Sequence, residues 1–171
     1  MSLRPSTIEE ARAQFKPMSR SRIKRGKPLS RAVKPKKKKK VKISSLKKRA
    51  WTEFSIYIRT RHAEPDGYVF CVTCGVRKHW KTVDAGHFIA GRLNSNLFDE
   101  RGCHAQCKNC NGPKAGNGPR YYQFMLKTYG QEVIDELLSQ NDQTHKWLPG
   151  ELESIARKYA EINSRHPLNS S

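Results

Sequence analysis

The chain has 171 residues, 36% of them hydrophobic, and a formal net charge of +19 at neutral pH. It has no run of about 18 apolar residues to span a membrane, and its basic N-terminus lacks the apolar stretch of a secretory signal. The expectation is a soluble, cytoplasmic protein with one domain of ordinary size plus tails. In a reducing compartment its paired cysteines are expected to bind metal rather than form disulfides.

The charge is concentrated at one end. Residues 1–49 hold 19 Lys and Arg against two acids, a balance of +17, whereas residues 50–171 balance at only +2. Residues 1–43 therefore read as a basic arm, with Lys36, Lys37, Lys38, Lys39 and Lys40 in its densest run. Such a segment repels itself and cannot bury a core, so it is expected to be disordered when free. A polyanion is its natural partner, bound with strong salt dependence through counterion release. The alternatives are a solvated tail and a nuclear localisation signal.

Within the arm, "STIEEARAQF" supports a short helix capped by Ser6 or Thr7 and interrupted by Pro17. From Ser44 or Ser45 to about Arg61, Leu46, Ala50, Trp51, Phe54 and Ile58 recur near helical spacing, which predicts an amphipathic helix. "EPDG" at 64–67 signals a turn. "YVFCVTCG" reads as a strand entering a knuckle, and "KTVDAGHFIA" as a second strand with Gly86 as a candidate bulge. Residues 91–102 read as loop, "CHAQCKNCN" as a second knuckle, and "GPKAGNGP" as irregular chain. Pro119 suits a helix N-terminus. "RYYQFMLKTYG", "QEVIDELLSQ" and "GELESIARKYAEINSR" complete the chain as three helices, and residues 166–171 as a tail. The domain is thus placed at 44–165, with its core at 68–118.

Cys71 and Cys74 form one C-x2-C pair, and Cys107 and Cys110 another, 32 residues later. Four thiolates suit a tetrahedral zinc, and with no open position that zinc is structural. It can contribute on the order of 10–16 kcal/mol of folding free energy. Cys103 is left over and is expected to be a free thiol. His104 is open between a site role and simple packing.

With a closed zinc site, chemistry must come from between the knuckles. "DAGHFIAGR" supplies Asp84, His87 and Arg92, and Asn111 follows the second knuckle at once. A neutral imidazole can take a proton from water. A carboxylate and an amide oxygen are hard ligands suited to Mg2+ or Mn2+. Such an ion stabilises charge developing on a phosphate's leaving oxygen. In this form the sequence resembles a known family. The order C-x2-C, a strand bearing Asp and His, then C-x2-C-N, resembles the HNH, or ββα-metal (His-Me finger), nucleases. It is similar to phage endonuclease VII, a Holliday-junction resolvase. The run "DAGHF…HAQCKNCN…GN" behind a basic arm resembles the phage NinG (Rap) recombination endonucleases over roughly residues 45–160.

The resemblance implies an α+β fold, a small zinc-stabilised ββα-metal core with flanking helices. It implies His87 as general base, and Asp84 and Asn111 as ligands of catalytic Mg2+ (or Mn2+). Cys71, Cys74, Cys107 and Cys110 would hold zinc. It further implies an endodeoxyribonuclease that cleaves branched recombination intermediates such as Holliday junctions and D-loops. A homodimer would make the paired cuts, and host or phage recombination proteins would be partners. Arg92 and Lys114 are candidate phosphate contacts. The sequence departs from the pattern in three places, one being that the helix expected after Asn111 meets Gly112 and Pro113 almost at once and so must be short or irregular. Gly102 stands where an Asn is usual, leaving Asn94 or Asn96 to orient His87. Asp84 and His87 are three apart, so they face one ion only if Gly86 breaks the strand's alternation. Asn117 is a turn residue with a possible site role. The competing readings are a non-catalytic zinc module that binds nucleic acid and an HNH enzyme with another DNA substrate.

Overall fold

This computed structural model describes residues 41–90 and 95–169. The basic run Lys36–Lys40, together with Arg92 and Asn94, lies outside them. Helix α1 (Ile43–Thr60) begins close to the expected position, without a side-chain cap. Leu46, Ala50, Phe54 and Ile58 line its buried face at successive i, i+4 steps. Strands β1 (Tyr68–Phe70) and β2 (Arg77–His79) pair antiparallel around the first knuckle. A single turn of 3-10 helix at Trp80–Thr82 leads into β3 (Val83–His87), so the expected strand is shorter than "KTVDAGHFIA".

Two more 3-10 turns, Ser95–Phe98 and Glu100–Gly102, occupy part of the segment read as loop. Strand β4 (Cys103–Cys107) then pairs with β3, and the four-residue helix α2 (Lys108–Asn111) follows directly. Helices α3 (Gly118–Tyr129), α4 (Gln131–Asn141) and α5 (Pro149–Arg165) complete the domain. The result is a mixed α+β architecture with two small antiparallel sheets. No helix among the described residues is long and apolar enough to cross a membrane.

Among the described residues the β3–β4 pair is central, and each of its faces meets a different set of helices. On one face, Cys103 packs with Phe54, Ile58 and Tyr159, and Ala85 lies against the same cluster. Leu46 and Ala50 meet Leu152 and Ala156 at one end of the α1–α5 contact. Asn163 donates to the Glu53 carbonyl at 3.0 Å toward the other end. Contacts therefore advance in the same order along both helices, which makes α1 and α5 parallel. Glu100 ties this face together by accepting from the hydroxyls of Tyr57 (2.8 Å) and Tyr159 (2.7 Å). On the other face, His104 packs against Phe124 and hydrogen-bonds Tyr121 at 3.1 Å and Tyr129 at 3.0 Å. His104 is thus a packed residue. Burial, reinforced by the charges of Arg61 and His62, holds its imidazole down to about 3.

The register of β3 with β4 is unbroken: Val83 pairs with Cys107, Asp84 with Gln106, Ala85 with Ala105, Gly86 with His104, and His87 with Cys103. Gly86 is not a bulge. Its lack of a side chain serves a close approach instead. A Cβ at Gly86 would lie 2.1 Å from Oε1 of Gln106 and 3.0 Å from Oδ1 of Asn111. Only glycine leaves room for both carboxamides.

Candidate functional site

The two knuckles meet because both are fixed to β structure. The first closes the β1–β2 hairpin: Gly75 donates to the Cys71 carbonyl at 2.8 Å in a left-handed conformation (φ +72°). Cys71 in turn donates to Val76 at 2.9 Å. The second begins on the last residue of β4 and continues into α2. A bond from the Val72 N–H to the Ala105 carbonyl, 3.1 Å, docks one on the other. The four sulfurs of Cys71, Cys74, Cys107 and Cys110 lie within 4.8 Å of one another. A tetrahedral zinc with arms of ~2.3 Å has sulfur–sulfur edges of about 3.8 Å. The Cys74–Cys107 separation is 3.8 Å. The cluster fits structural zinc in number, type and spacing of donors.

Its surroundings favour thiolates unevenly. Burial pushes the Cys71 thiol up, but the Thr73 hydroxyl at 3.3 Å and three backbone N–H groups outweigh it and bring the thiol down. Asn117 supplies a donor to Cys110 at 3.7 Å while its left-handed backbone (φ 51°) precedes α3, so it supports the cluster from a turn position. Cys103 is fully buried apart from the other four, and burial raises its thiol.

Beside the cluster, Asp84 on β3 and Asn111 at the end of α2 come together. Asn111 Nδ2 donates to Asp84 Oδ2 at 3.1 Å. The amide oxygen of Asn111 is turned toward Gly86, next to Gln106 Oε1. That Gln106 oxygen is buried and has no hydrogen-bond partner. Its Nε2 is committed to the Gly116 carbonyl (2.8 Å) and to Thr73 Oγ1 (3.3 Å). Two carboxamide oxygens thus converge over one glycine, and the Asp84 carboxylate joins them through its hydrogen bond with Asn111. For Asp84 and Asn111 to share a divalent ion, the Asn111 amide must turn its oxygen to the carboxylate, a rotation that changes no heavy-atom shape. Gln106 was missed in the sequence. Its pairing opposite Asp84 was the only available signal, and that required β4 to be recognised as a strand.

His87 lies elsewhere. Regular alternation along β3 puts its side chain on the face opposite Asp84, three residues or about 10 Å along the strand. Its ring stacks on Trp51 of α1 with centroids 5.1 Å apart. Its Nε2 meets the Leu97 carbonyl at 3.0 Å. Of the three residues expected to share one ion, Asp84 and Asn111 lie together and His87 lies apart from them. Asn96 does not orient His87 through its side chain, which donates to the Leu137 carbonyl of α4 at 3.3 Å. It anchors the turn whose next residue provides the carbonyl. Lys114 is exposed in the loop after α2.

A family model described as the Bacteriophage Lambda NinG protein matches residues 5–165. Among curated proteins, "Protein ninG" of Escherichia phage 933W is 35% identical over 117 residues, covering 67% of this chain and 54% of that protein. The proteins of the same name from Escherichia phage lambda and Salmonella phage P22 are 33% and 32% identical over 117 residues, covering 53% and 54% of their lengths and 67% of this chain. The chain thus spans about half the length of the curated relatives it matches. No solved structure matches it. The extent of the family match, which takes in the hairpin, both knuckles and the flanking helices, means that the chain belongs to the NinG family of phage proteins.

Proposed function

We propose that the protein is a metal-dependent endonuclease acting on branched DNA in phage recombination, built on a ββα-metal core. The observation that carries this reading is the 3.1 Å approach of Asn111 to Asp84 on a strand–strand–helix unit fastened by four cysteines. Asp84 and Asn111 would hold Mg2+ or Mn2+, with the orphaned Gln106 oxygen as a further neutral donor. Such an ion, with few protein ligands, supplies charge stabilisation at a phosphate. His87 supports the reading through its tautomer. With Nε2 donating to the Leu97 carbonyl, a neutral imidazole would carry its lone pair on Nδ1, the atom a general base would use. Because His87 and Asp84 lie on opposite faces, His87 acts on the attacking water only where the phosphate reaches across the end of β3. The basic arm and Lys114 would bind phosphates, and a homodimer would make the paired cuts that a four-way junction needs.

A second reading is favoured by the packing of His87 against Trp51, which gives the imidazole a structural role. It is a non-catalytic zinc module that binds nucleic acid. Incubating a labelled four-way junction and its linear duplex with Mg2+ or Mn2+ separates the two readings. The nuclease reading expects junction cleavage by wild type, at least 100-fold slower for Asp84→Ala and Asn111→Ala, with DNA binding retained. Binding without cleavage under any divalent ion establishes the second reading. Cleavage that persists in His87→Ala assigns the base to another group.

A further inference from the structure

We infer that the outer face of the β1–β2 hairpin, with the groove between it and the start of α2, binds an unpaired stretch of a DNA strand. This inference rests on the nucleic-acid reading above and adds a site that reading does not contain.

Two observations carry it. The first is a pair of aromatic side chains on one exposed face. Tyr68 and Phe70 alternate with buried Val69, and they remain 38% and 51% exposed. Large rings left in water on a two-stranded ribbon contribute little to the fold. Tyr68 is also held in place. Glu64 and Asp66 pin the Arg77 guanidinium, which lies over the Tyr68 ring at 4.4 Å, and His79 meets the ring edge at 5.6 Å. An immobilised ring loses little freedom when a base stacks on it.

The second is the charge of the adjoining groove. Its volume is about 740 Å³, and its lining includes Lys78, His79, Lys108 and Asn109 but no acidic residue. Glu64 and Asp66 more than offset the charge of Arg77, whereas Lys78 and Lys108 have no ion-pair partner among the described residues and supply the groove's positive charge. Tyr68 lines this groove as well, with Phe70 beyond it on the outer face, while Lys78, opposite Val69, reaches the groove from the other face of the ribbon. A ring for a base next to ammonium groups for phosphates is the composition of a single-strand site. Duplex DNA fits the phosphate half only, because its interior bases have both faces covered by neighbouring base pairs. The face is therefore expected to prefer unpaired strand over duplex, which suits a protein working where strands separate.

The test is fluorescence anisotropy with zinc-loaded full-length chain in metal-free buffer, on a labelled oligothymidine and on a blunt duplex of equal length. Tyr68→Ala/Phe70→Ala is expected to weaken single-strand binding at least about tenfold and to leave duplex binding unchanged. Lys78→Ala/Lys108→Ala is expected to weaken both and to lower the single-strand salt slope by about 1.4. Tyr68→Phe/Phe70→Tyr keeps the rings and is expected to bind as wild type. Unchanged single-strand affinity in both alanine pairs overturns the inference. So does an equal loss on duplex from the aromatic pair, or a loss from the ring-conserving pair as large as from alanine. Cleavage is scored separately: a wild type that cuts nothing yet loses single-strand binding in these variants removes the nuclease reading and leaves this site standing.

Discussion

The carboxamide of Gln106 fills the space that a Cβ on Gly86 would occupy, 2.1 Å from its Oε1. The two residues are not directly paired in the register, since Gln106 faces Asp84 and Gly86 faces His104. Gln106 reaches diagonally over the glycine, held by Gly116 and Thr73. Thr73 in turn touches the Cys71 sulfur, so Thr73 and Gln106 together connect the four-cysteine cluster to the glycine over which Asn111 also lies.

Gly86→Ala should therefore destabilise the domain by about 1–3 kcal/mol, the usual range for overpacking. Combining it with Gln106→Ala should recover part of the loss. Chemical denaturation of the two single variants and the double, treated as a cycle, measures the coupling. Additive losses would show that Gln106 is not what the new methyl group meets.

Asn111→Asp places a second carboxylate about 3 Å from Asp84. Without divalent ions, the like charges should lower the melting temperature relative to wild type. With millimolar Ca2+ or Mg2+ the variant should regain that loss and more, because a second anionic ligand strengthens ion binding. Thermal unfolding with and without the ion, at constant ionic strength, checks this. An ion-independent melting temperature in the variant would mean that the pair does not bind a cation.

The four-cysteine cluster should bind one zinc per chain, measured by elemental analysis. Cys71→Ser or Cys107→Ser should cause loss of the metal and of cooperative unfolding, since zinc of this kind contributes on the order of 10–16 kcal/mol. Cys103→Ser should retain the full zinc content, because its thiol lies in the α1–α5 core, away from the cluster.

His104 predicts acid sensitivity. Its folded-state value is depressed to about 3 from 6.5, so the unfolded chain takes up a proton that the folded chain refuses. Stability from this group is complete above the unfolded value and falls as pH drops from about 6.5 toward 3, by about 1.4 kcal/mol per unit. The imidazole signal of His104 should accordingly remain in its neutral position at pH 5 by NMR, with zinc kept saturating.

Local patterns were readable in the sequence. Leu46, Ala50, Phe54 and Ile58 marked α1 through their period, and the two C-x2-C spacings marked the cluster that the fold assembles. What depended on distant partners was not readable. β2 is Arg-Lys-His, with no apolar alternation, and it exists because the knuckle folds it back on β1. β4 is fully buried although it contains His104 and Gln106, whose hydrogen bonds come from Thr73, Gly116, Tyr121 and Tyr129. Nothing local marks those partners. Gly86 was identified as special for the wrong reason: a bulge was expected, and the glycine instead admits two carboxamides within a regular strand.

The lone Cys103 gives the molecule a built-in clock for opening. Four of its five thiols belong to the four-cysteine cluster, while the fifth is sealed between α1 and α5 with no accessible surface. A thiol reagent applied after chelation should modify four cysteines promptly. The fifth should react only at the rate at which the two parallel helices part, so the mass of the labelled chain over time separates loss of the knuckles from loss of the helical core.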